Sequence, residues 1–440
     1  MRSFLITAKW IITGWEEEAI ENGALLVEEE KILDVGKAEE LKNKYKNLEE
    51  VNFPDGLIFP GLVNAHSHIS MSIFRGIAED LPLLTWLRDY IFPVEAKLKK
   101  EWVYWGAKLS LIEMMRSGTT LFCDMYLFEP EVIKATKEAG LRALVGEGLF
   151  DFPSPGYGEL EKGLALTEEL LKAYEKDEFV KIAVSPHTLY TCSPDTVKKC
   201  LSIAEKYGAK LHIHLSESQD EVREVMSKYG KTPAEILLEM GAVNENLLAV
   251  HCVKLKEEEI EAFAEKGASV VHCPESNLKL GSGIAPVVKM LEAGVNLALG
   301  TDGPASNNDL DMFTEMRTAA LLQKGLAEDP AIINARQIFK MATFSGARAL
   351  GFEKLGKIAP GYKADLAVID LSKEYLVPDY DPFSLIVYAA KSGCVSDLMV
   401  NGKFVMRNYK ILTLKEEEIK DKVLEIKKEI LYILGKNSSN

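Results

Sequence analysis

Between residues 59 and about 352 the chain repeats one unit, a short apolar run suited to a buried strand followed by a longer helix-like stretch. Eight runs are legible: the one leading into His66, then 120–123, 143–145, 180–184, 210–214, 247–250, 268–271 and 295–299. Strand and helix alternating in this way predict a parallel α/β fold, and eight repeats close a (β/α)8 TIM barrel. Such a barrel carries its chemistry at the C-terminal ends of its strands. Polar residues concentrate there in this chain.

All seven histidines fall at or near those ends: His66 and His68 at the first strand, His187 after the fourth, His212 and His214 on the fifth, His251 after the sixth and His272 after the seventh. Asp302 follows the eighth in Gly300-Thr301-Asp302-Gly303. A strand has a side-chain period of two, so His66 and His68 point to one face while Ser67 points to the other. A barrel converges strand ends on one mouth, and scattered core or surface histidines would have no reason to fall so regularly. His66, His68, His214 and Asp302 make a set of three imidazoles and one carboxylate, suited to one divalent ion: Zn2+ first, with Fe2+ or Mn2+ as alternatives. His212 shares a face with His214 one layer deeper, which suits support of a ligand, and His272 reads as structural. Glu217, three residues beyond His214, is placed to carry a proton beside the ion's water. His251 either ligates a second ion or hydrogen-bonds the nucleophile, and four ligands already in hand favour the second role.

Both ends of the chain have a different texture. Residues 1–58 and 356–412 read as short strands, and Asn401-Gly402 between apolar runs is a hairpin signal. The two ends are expected to pair into one small β-sandwich domain, with 59–355 as the metal-dependent barrel and 413–440 as a C-terminal amphipathic helix that packs on protein. Net charge is −15, which disfavours a nucleic-acid polymer as partner. The six cysteines are scattered without a Cys-x-x-Cys pair and read as reduced, buried thiols. The first residues lack a secretory apolar core, no run reaches the length of a membrane span, and a cytoplasmic protein with no membrane attachment is expected.

In this order these residues resemble the amidohydrolase superfamily, and within it the methylthioadenosine/S-adenosylhomocysteine deaminase branch. The resemblance rests on 60–68 (Pro-Gly-Leu-Val-Asn-Ala-His-Ser-His), 75–81 with Trp86, Ser185-Pro186-His187, 212–217, 272–280 and 300–308. It implies hydrolytic deamination of an adenosine-type nucleoside at one ion held by His66, His68, His214 and Asp302. Glu217 would protonate N1 of the ring, Asp302 would take the water's proton and pass it to the departing amine, and His251 would hold the nucleophile. The resemblance further implies substrate contacts from Glu95, His187, Trp86 and Ser306, besides Glu217 and Asp302, and a homo-oligomer. Without it, Glu95 reads as a helix-surface acid and Trp86 as core.

The chain departs from the branch in one place. Members that accept S-adenosylhomocysteine carry arginines after the third strand and in the following loop, whereas this chain has Gly146-Glu147-Gly148 and then Asp151-Phe152-Pro153-Ser154-Pro155-Gly156-Tyr157-Gly158-Glu159. An acidic loop is expected to repel a carboxylate, so 5′-methylthioadenosine, 5′-deoxyadenosine or adenosine is favoured over S-adenosylhomocysteine. Two alternatives stand beside this reading. One is a deaminase of a free base such as guanine or cytosine, or a triazine or cyclic-amide hydrolase, of the same superfamily. The other is a non-catalytic scaffold of that shape, against which the complete ligand set speaks.

Overall fold

The computed structural model describes residues 3–81 and 83–435; the Ser-Ser-Asn tail lies outside them. Strands from both chain ends meet in one sheet: β1 (Ser3–Ile11), β2 (Ile20–Glu28), β3 (Lys31–Lys37) and β4 (Glu49–Pro60) join β14 (Leu366–Asp370), β15 (Val395–Val400), β16 (Lys403–Arg407) and β17 (Lys410–Ile411). The strand order is β17-β16-β15-β14-β4-β1-β2-β3. All neighbours are antiparallel except β1 and β4. The sheet bends back on itself, because the backbone of Ile32 in β3 exchanges hydrogen bonds with Tyr362 (2.9 Å) and Gly361 (2.8 Å). Phe4, Leu25, Ile58, Leu366 and Met399, contributed by five different strands, thereby share one apolar core. The opposite face of β1 and β2 is covered by Leu41 of the helix Ala38–Lys44.

The second set of strands is parallel. β5 (Leu62–Ser67), β6 (Thr119–Tyr126), β7 (Arg142–Leu149) and β8 (Val180–Ile182) follow one another in one sheet, with the short β9 (Ser185–Pro186) also on β7. β10 (Leu211–Leu215), β11 (Leu247–His251), β12 (Ser269–His272) and β13 (Asn296–Leu299) form the other. Backbone hydrogen bonds join both margins of the two sheets: His212 donates to Val184 O at 2.9 Å, and Asp302 donates to His66 O at 3.0 Å. The architecture is a (β/α)8 barrel. Its strands are buried on both faces, as β5, β6, β7, β10, β11 and β12 are at every position, and helices separate them in sequence.

Contacts divide the chain into two compact units, one of residues up to Ala65, Ile112–Leu121 and Asp311–Leu414, the other of His66–Leu111, Phe122–Leu310 and the chain from Lys415 onward. Residues 311–355, within the stretch read from sequence as barrel, pack in the first unit, where Phe313 and Phe339 each set a ring edge on Phe59 of β4 at 6.4 Å. The C-terminal helix Glu416–Ile433 belongs to the second unit and buries Ile419, Ile426 and Ile430. No helix among the described residues is long and apolar enough to cross a membrane.

The Asn401-Gly402 turn joins β15 to β16, with φ of 52° and 74°, the left-handed pair that a two-residue hairpin needs. A Cβ on Gly402 would lie 1.9 Å from the carbonyl oxygen of Glu29. Gly402→Val is expected to cost roughly 2–4 kcal/mol through strain and overlap. Thermal denaturation should show a midpoint several degrees lower; an unchanged midpoint would show that the turn does not constrain the sheet.

Candidate metal centre and adjoining cavity

His66 is the penultimate residue of β5, and His68 stands one residue beyond the strand, where the chain turns into the 3-10 helix Ile69–Phe74. Their parity puts both rings inside, while Ser67 turns away to donate to Cys123 O at 2.6 Å. Asp124, at the end of β6, accepts from the backbone of Ile69 at 2.6 Å and fixes that turn. His214 comes from β10 with the same alternation, His212 lying beneath it. Asp302 reaches the site from a left-handed residue (φ 61°) after β13. The close pass of this chain over β5 requires Gly300, since a Cβ there would sit 2.7 Å from the backbone nitrogen of His66.

The ligand atoms of His66, His68, His214 and Asp302 all lie within 4.8 Å of one another. Asp302 Oδ1 is 3.3 Å from His66 Nε2 and 3.1 Å from His68 Nε2, and His214 Nε2 is 3.2 Å from His66 Nε2. The outward nitrogens have partners of their own. His214 Nδ1 meets His187 O at 3.0 Å, and His68 Nδ1 meets Met125 O. A carbonyl only accepts, so each of these Nδ1 atoms carries its hydrogen, which leaves Nε2 as the atom that presents a lone pair when the ring is neutral. His66 Nδ1 lies 2.9 Å from His212 Nε2, and His212 Nδ1 lies 3.5 Å from Cys123 Sγ, which continues the same polarity. On Asp302, Oδ2 accepts from Ser276 at 2.5 Å and Ser306 at 2.9 Å, leaving Oδ1 for the imidazoles.

Burial sets the charge states. It pushes His66 down to about 3 and His214 well below its ordinary value, so both rings are neutral. Burial also opposes charge on His68, but Asp302 and Asp124 outweigh it and hold that ring at about 9. Burial pushes Asp302 up, yet contact with His66 and His68 outweighs this and holds it well below the usual carboxylate range. Lone pairs and an anionic oxygen facing one another in a buried space require a cation. A proton on His68 answers that need for one pair; a divalent ion answers it for all four donors, so the residues fit such an ion.

Beside this cluster opens a cavity of about 390 Å³. His68, His214, Asp302, Glu217 and His251 line its inner end, and Glu95, Trp86, His187 and Ser306 line it too. His251 Nδ1 bonds Asn277 Oδ1 at 2.9 Å, and its Nε2 is 3.8 Å from Glu217 Oε2. The other Glu217 oxygen accepts from Ser282 at 3.0 Å. Glu95 is not on a helix surface: a π-helical turn, Leu87–Ile91, precedes its short helix, and its Oε1 accepts from Tyr126 at 2.6 Å. Its carboxyl is pushed up by burial. Ser306 faces the cavity, but its hydroxyl is engaged by Asp302. His272 stands apart, buried, off the cavity lining and with neither ring nitrogen hydrogen-bonded.

One expectation is corrected. Neither Glu147, near the end of β7, nor Asp151 beyond it lines the cavity: Glu147 turns back to accept from the backbone of Phe128 (3.0 Å) and Glu129 (2.9 Å), and Asp151 accepts from the backbone of Ser193 at 2.7 Å. Each satisfies free backbone donors, which draws it away from the mouth. Residues that sequence reasoning did not assign include Asp124, Ser276, Asn277, Ser282, Tyr126 and Glu221, the last accepting from the backbone of Ser216 (3.2 Å) and Glu217 (2.7 Å). For Ser276 and Asn277 a signal existed, since they follow the Cys273-Pro274 break at the end of β12.

Residues 57–405 match the amidohydrolase family. The chain belongs to the amidohydrolase family. Among its relatives is the 5-methylthioadenosine/S-adenosylhomocysteine deaminase of Syntrophobacter fumaroxidans, 48% identical over 93% of each protein. This amidohydrolase is also similar to an adenosine deaminase from Xanthomonas campestris, solved with bound zinc, at a TM-score of 0.96, 37% identity and coverage of 98% of this chain and 99% of that one. The zinc-complexed atrazine chlorohydrolase of Arthrobacter aurescens shares the fold, with a TM-score of 0.89, 24% identity and coverage of 96% of this chain and 100% of that one.

His214→Ala or Asp302→Ala is expected to lower bound metal from about one ion per chain to near zero, measured by elemental analysis of the folded variants. His212→Phe, which removes only the support behind His66, should weaken metal affinity roughly 10–100-fold. Unchanged affinity in that variant would contradict the tautomer argument.

Proposed function

We propose that this amidohydrolase is a metal-dependent deaminase that converts an adenosine-type nucleoside to the inosine-type product and ammonia. The observation that carries the reading is the shared mouth of a four-donor metal cluster, a Glu217–His251 pair and a cavity whose wall holds Glu95. Two of the proteins named above, the 5-methylthioadenosine/S-adenosylhomocysteine deaminase and the adenosine deaminase, are named for nucleosides of this class, which supports it. Three imidazoles and one carboxylate favour Zn2+, with Fe2+ and Mn2+ as alternatives. When bound, a divalent ion there activates water for attack on the ring carbon that bears the amine.

The remaining work falls to side chains. Glu217, oriented by Ser282, delivers a proton to N1 of the ring and so draws electrons away from the carbon under attack. Asp302, its outer oxygen held by Ser276 and Ser306, takes the water's proton through Oδ1 and passes it to the departing amine. His251, with Nδ1 engaged by Asn277, turns Nε2 to the attacking water and orients it. Glu95, with one oxygen on Tyr126, accepts from the ribose hydroxyls, and His187 and Trp86 contact the substrate. A small-molecule nucleoside, a cytoplasmic setting and a homo-oligomer belong to the same proposal, the last open to light scattering on the purified chain.

Ammonia release by metal-loaded protein on adenosine, 5′-methylthioadenosine, guanine and cytosine tests the reading; turnover of a free base alone would overturn it. Glu217→Gln should lower kcat about 10²–10⁴-fold at unchanged metal content. Glu95→Ala should raise KM for adenosine roughly ten-fold or more while leaving KM for 2′,3′-dideoxyadenosine nearly unmoved, because only the first offers the hydroxyls. Equal effects on both would remove Glu95 from ribose recognition.

A further inference from the structure

The stretch that carries Glu95 over the cavity has little regular structure of its own. From Leu83 to Glu95 the chain passes through the short helix Leu83–Trp86, the π-helical turn Leu87–Ile91 and the short helix Phe92–Glu95, and Trp86, Ile91 and Glu95 line the cavity. Helices this short are not stable alone, and a π turn spaces its hydrogen bonds less favourably. The position of this roof therefore depends on contacts with the rest of its unit. Behind it, the C-terminal helix Glu416–Ile433 packs on Phe92–Glu95, and Glu429 pairs with Lys99.

In front, the chain leading into the roof is caught in a ring of three side chains. Lys279 Nζ lies 2.7 Å from Glu79 Oε2 and donates to Asn308 Oδ1 at 2.6 Å, while Asn308 Nδ2 donates to Glu79 Oε1 at 3.0 Å. Nζ also reaches Ala305 O at 3.4 Å. Each member of the ring bonds both others, and the ammonium has an acceptor for each of its hydrogens. Burial pushes the Glu79 carboxyl up, but Lys279 and Asn308 outweigh it and hold the acid below its ordinary value, so it is ionised.

The three residues belong to three loops. Glu79 stands between the left-handed residues Gly76 (φ 70°) and Asp80 (φ 59°). Lys279 ends the helix Pro274–Lys279, which carries Ser276 and Asn277, and Asn308, left-handed at φ 89°, closes the turn beyond Asp302 that carries Ser306. The ring thus ties the chain entering the roof to the two loops whose side chains hold Asp302 and His251. A partly exposed ion pair adds little to the stability of a domain, but a closed network fixes the geometry of the parts it joins.

We infer that Glu79, Lys279 and Asn308 are positioning residues whose ring holds the roof against the loops of the metal end and so brings Glu95 to the sugar of the substrate. This rests on the nucleoside reading, in which Glu95 accepts from the ribose hydroxyls.

The test is steady-state kinetics of metal-loaded variants on adenosine or 5′-methylthioadenosine, whichever the unaltered enzyme turns over faster. Glu79→Lys and Lys279→Glu each place like charges in the ring, and each should raise KM about ten-fold while kcat changes less than about three-fold. Thermal midpoints should stay close to that of the unaltered enzyme, because both side chains are partly exposed. The double reversal Glu79→Lys/Lys279→Glu should recover most of the lost KM, since the Asn308 amide, turned over, offers its oxygen to the new ammonium and its nitrogen to the new carboxylate. In a Glu95→Ala background, Glu79→Lys should raise KM by less than about two-fold, because the ring acts through Glu95. Absence of recovery in the double reversal, or an undiminished effect of Glu79→Lys without Glu95, would overturn the positioning role while leaving nucleoside deamination standing. Failure of the unaltered enzyme on both nucleosides with the ion in place would overturn the proposed function and the inference with it.

Discussion

Two neutral imidazole nitrogens, a third on His68 and one carboxylate oxygen face a common point where little water reaches. In such a medium, lone pairs and negative charge at hydrogen-bond separations repel strongly, and removal of solvent forbids the usual relief. Folding tolerates the arrangement because each donor is held from behind. His214 is fixed by His187 O, His68 by Met125 O, His66 by His212, and Asp302 by two serine hydroxyls. Those outer bonds choose the tautomer and point the inner atoms at one another, and the only occupant that satisfies all four is a cation.

The scaffold follows from that demand. Parallel strands buried on both faces leave only their C-terminal ends for polar side chains, and a barrel gathers those ends. Two-residue alternation on β5 and β10 supplies the imidazole faces, while Asp302 arrives through a left-handed residue after a glycine that permits backbone contact with His66. Loops after neighbouring strands then add Glu217 and His251, to which the proposed reaction gives the proton delivery and the orientation of water. Glu221 closes the turn that carries Glu217, and Asn277 orients His251. The end of the cavity beside the metal cluster is polar and directional, and its rim is aromatic.

Much of this was legible without coordinates. Strand periodicity and the placing of every histidine at a strand end carry the barrel and the ligand set, because both depend on local pattern and on a fold that converges its termini. Hydrogen bonds across long loops are different. Asp124 meets Ile69 across 55 residues and Asn277 meets His251 across 26, and no local pattern encodes which loop atoms come into register. Glu95 was visible only through resemblance, since the π-helical turn before it redirects a side chain that simple helical spacing leaves on the surface. The end of β7 and the loop beyond it show a related limit: their composition reports negative charge, but the carboxylates of Glu147 and Asp151 are turned by backbone donors elsewhere in the fold.

The measurement that bears most directly on the account is a titration of Zn2+ into metal-stripped protein, with binding heat and ammonia release from adenosine followed on the same samples. The account predicts that activity rises in proportion to bound zinc and reaches its plateau at about one equivalent per chain, as four ligands around one ion require. Full activity in the stripped protein, or a plateau reached only at two equivalents, would contradict it.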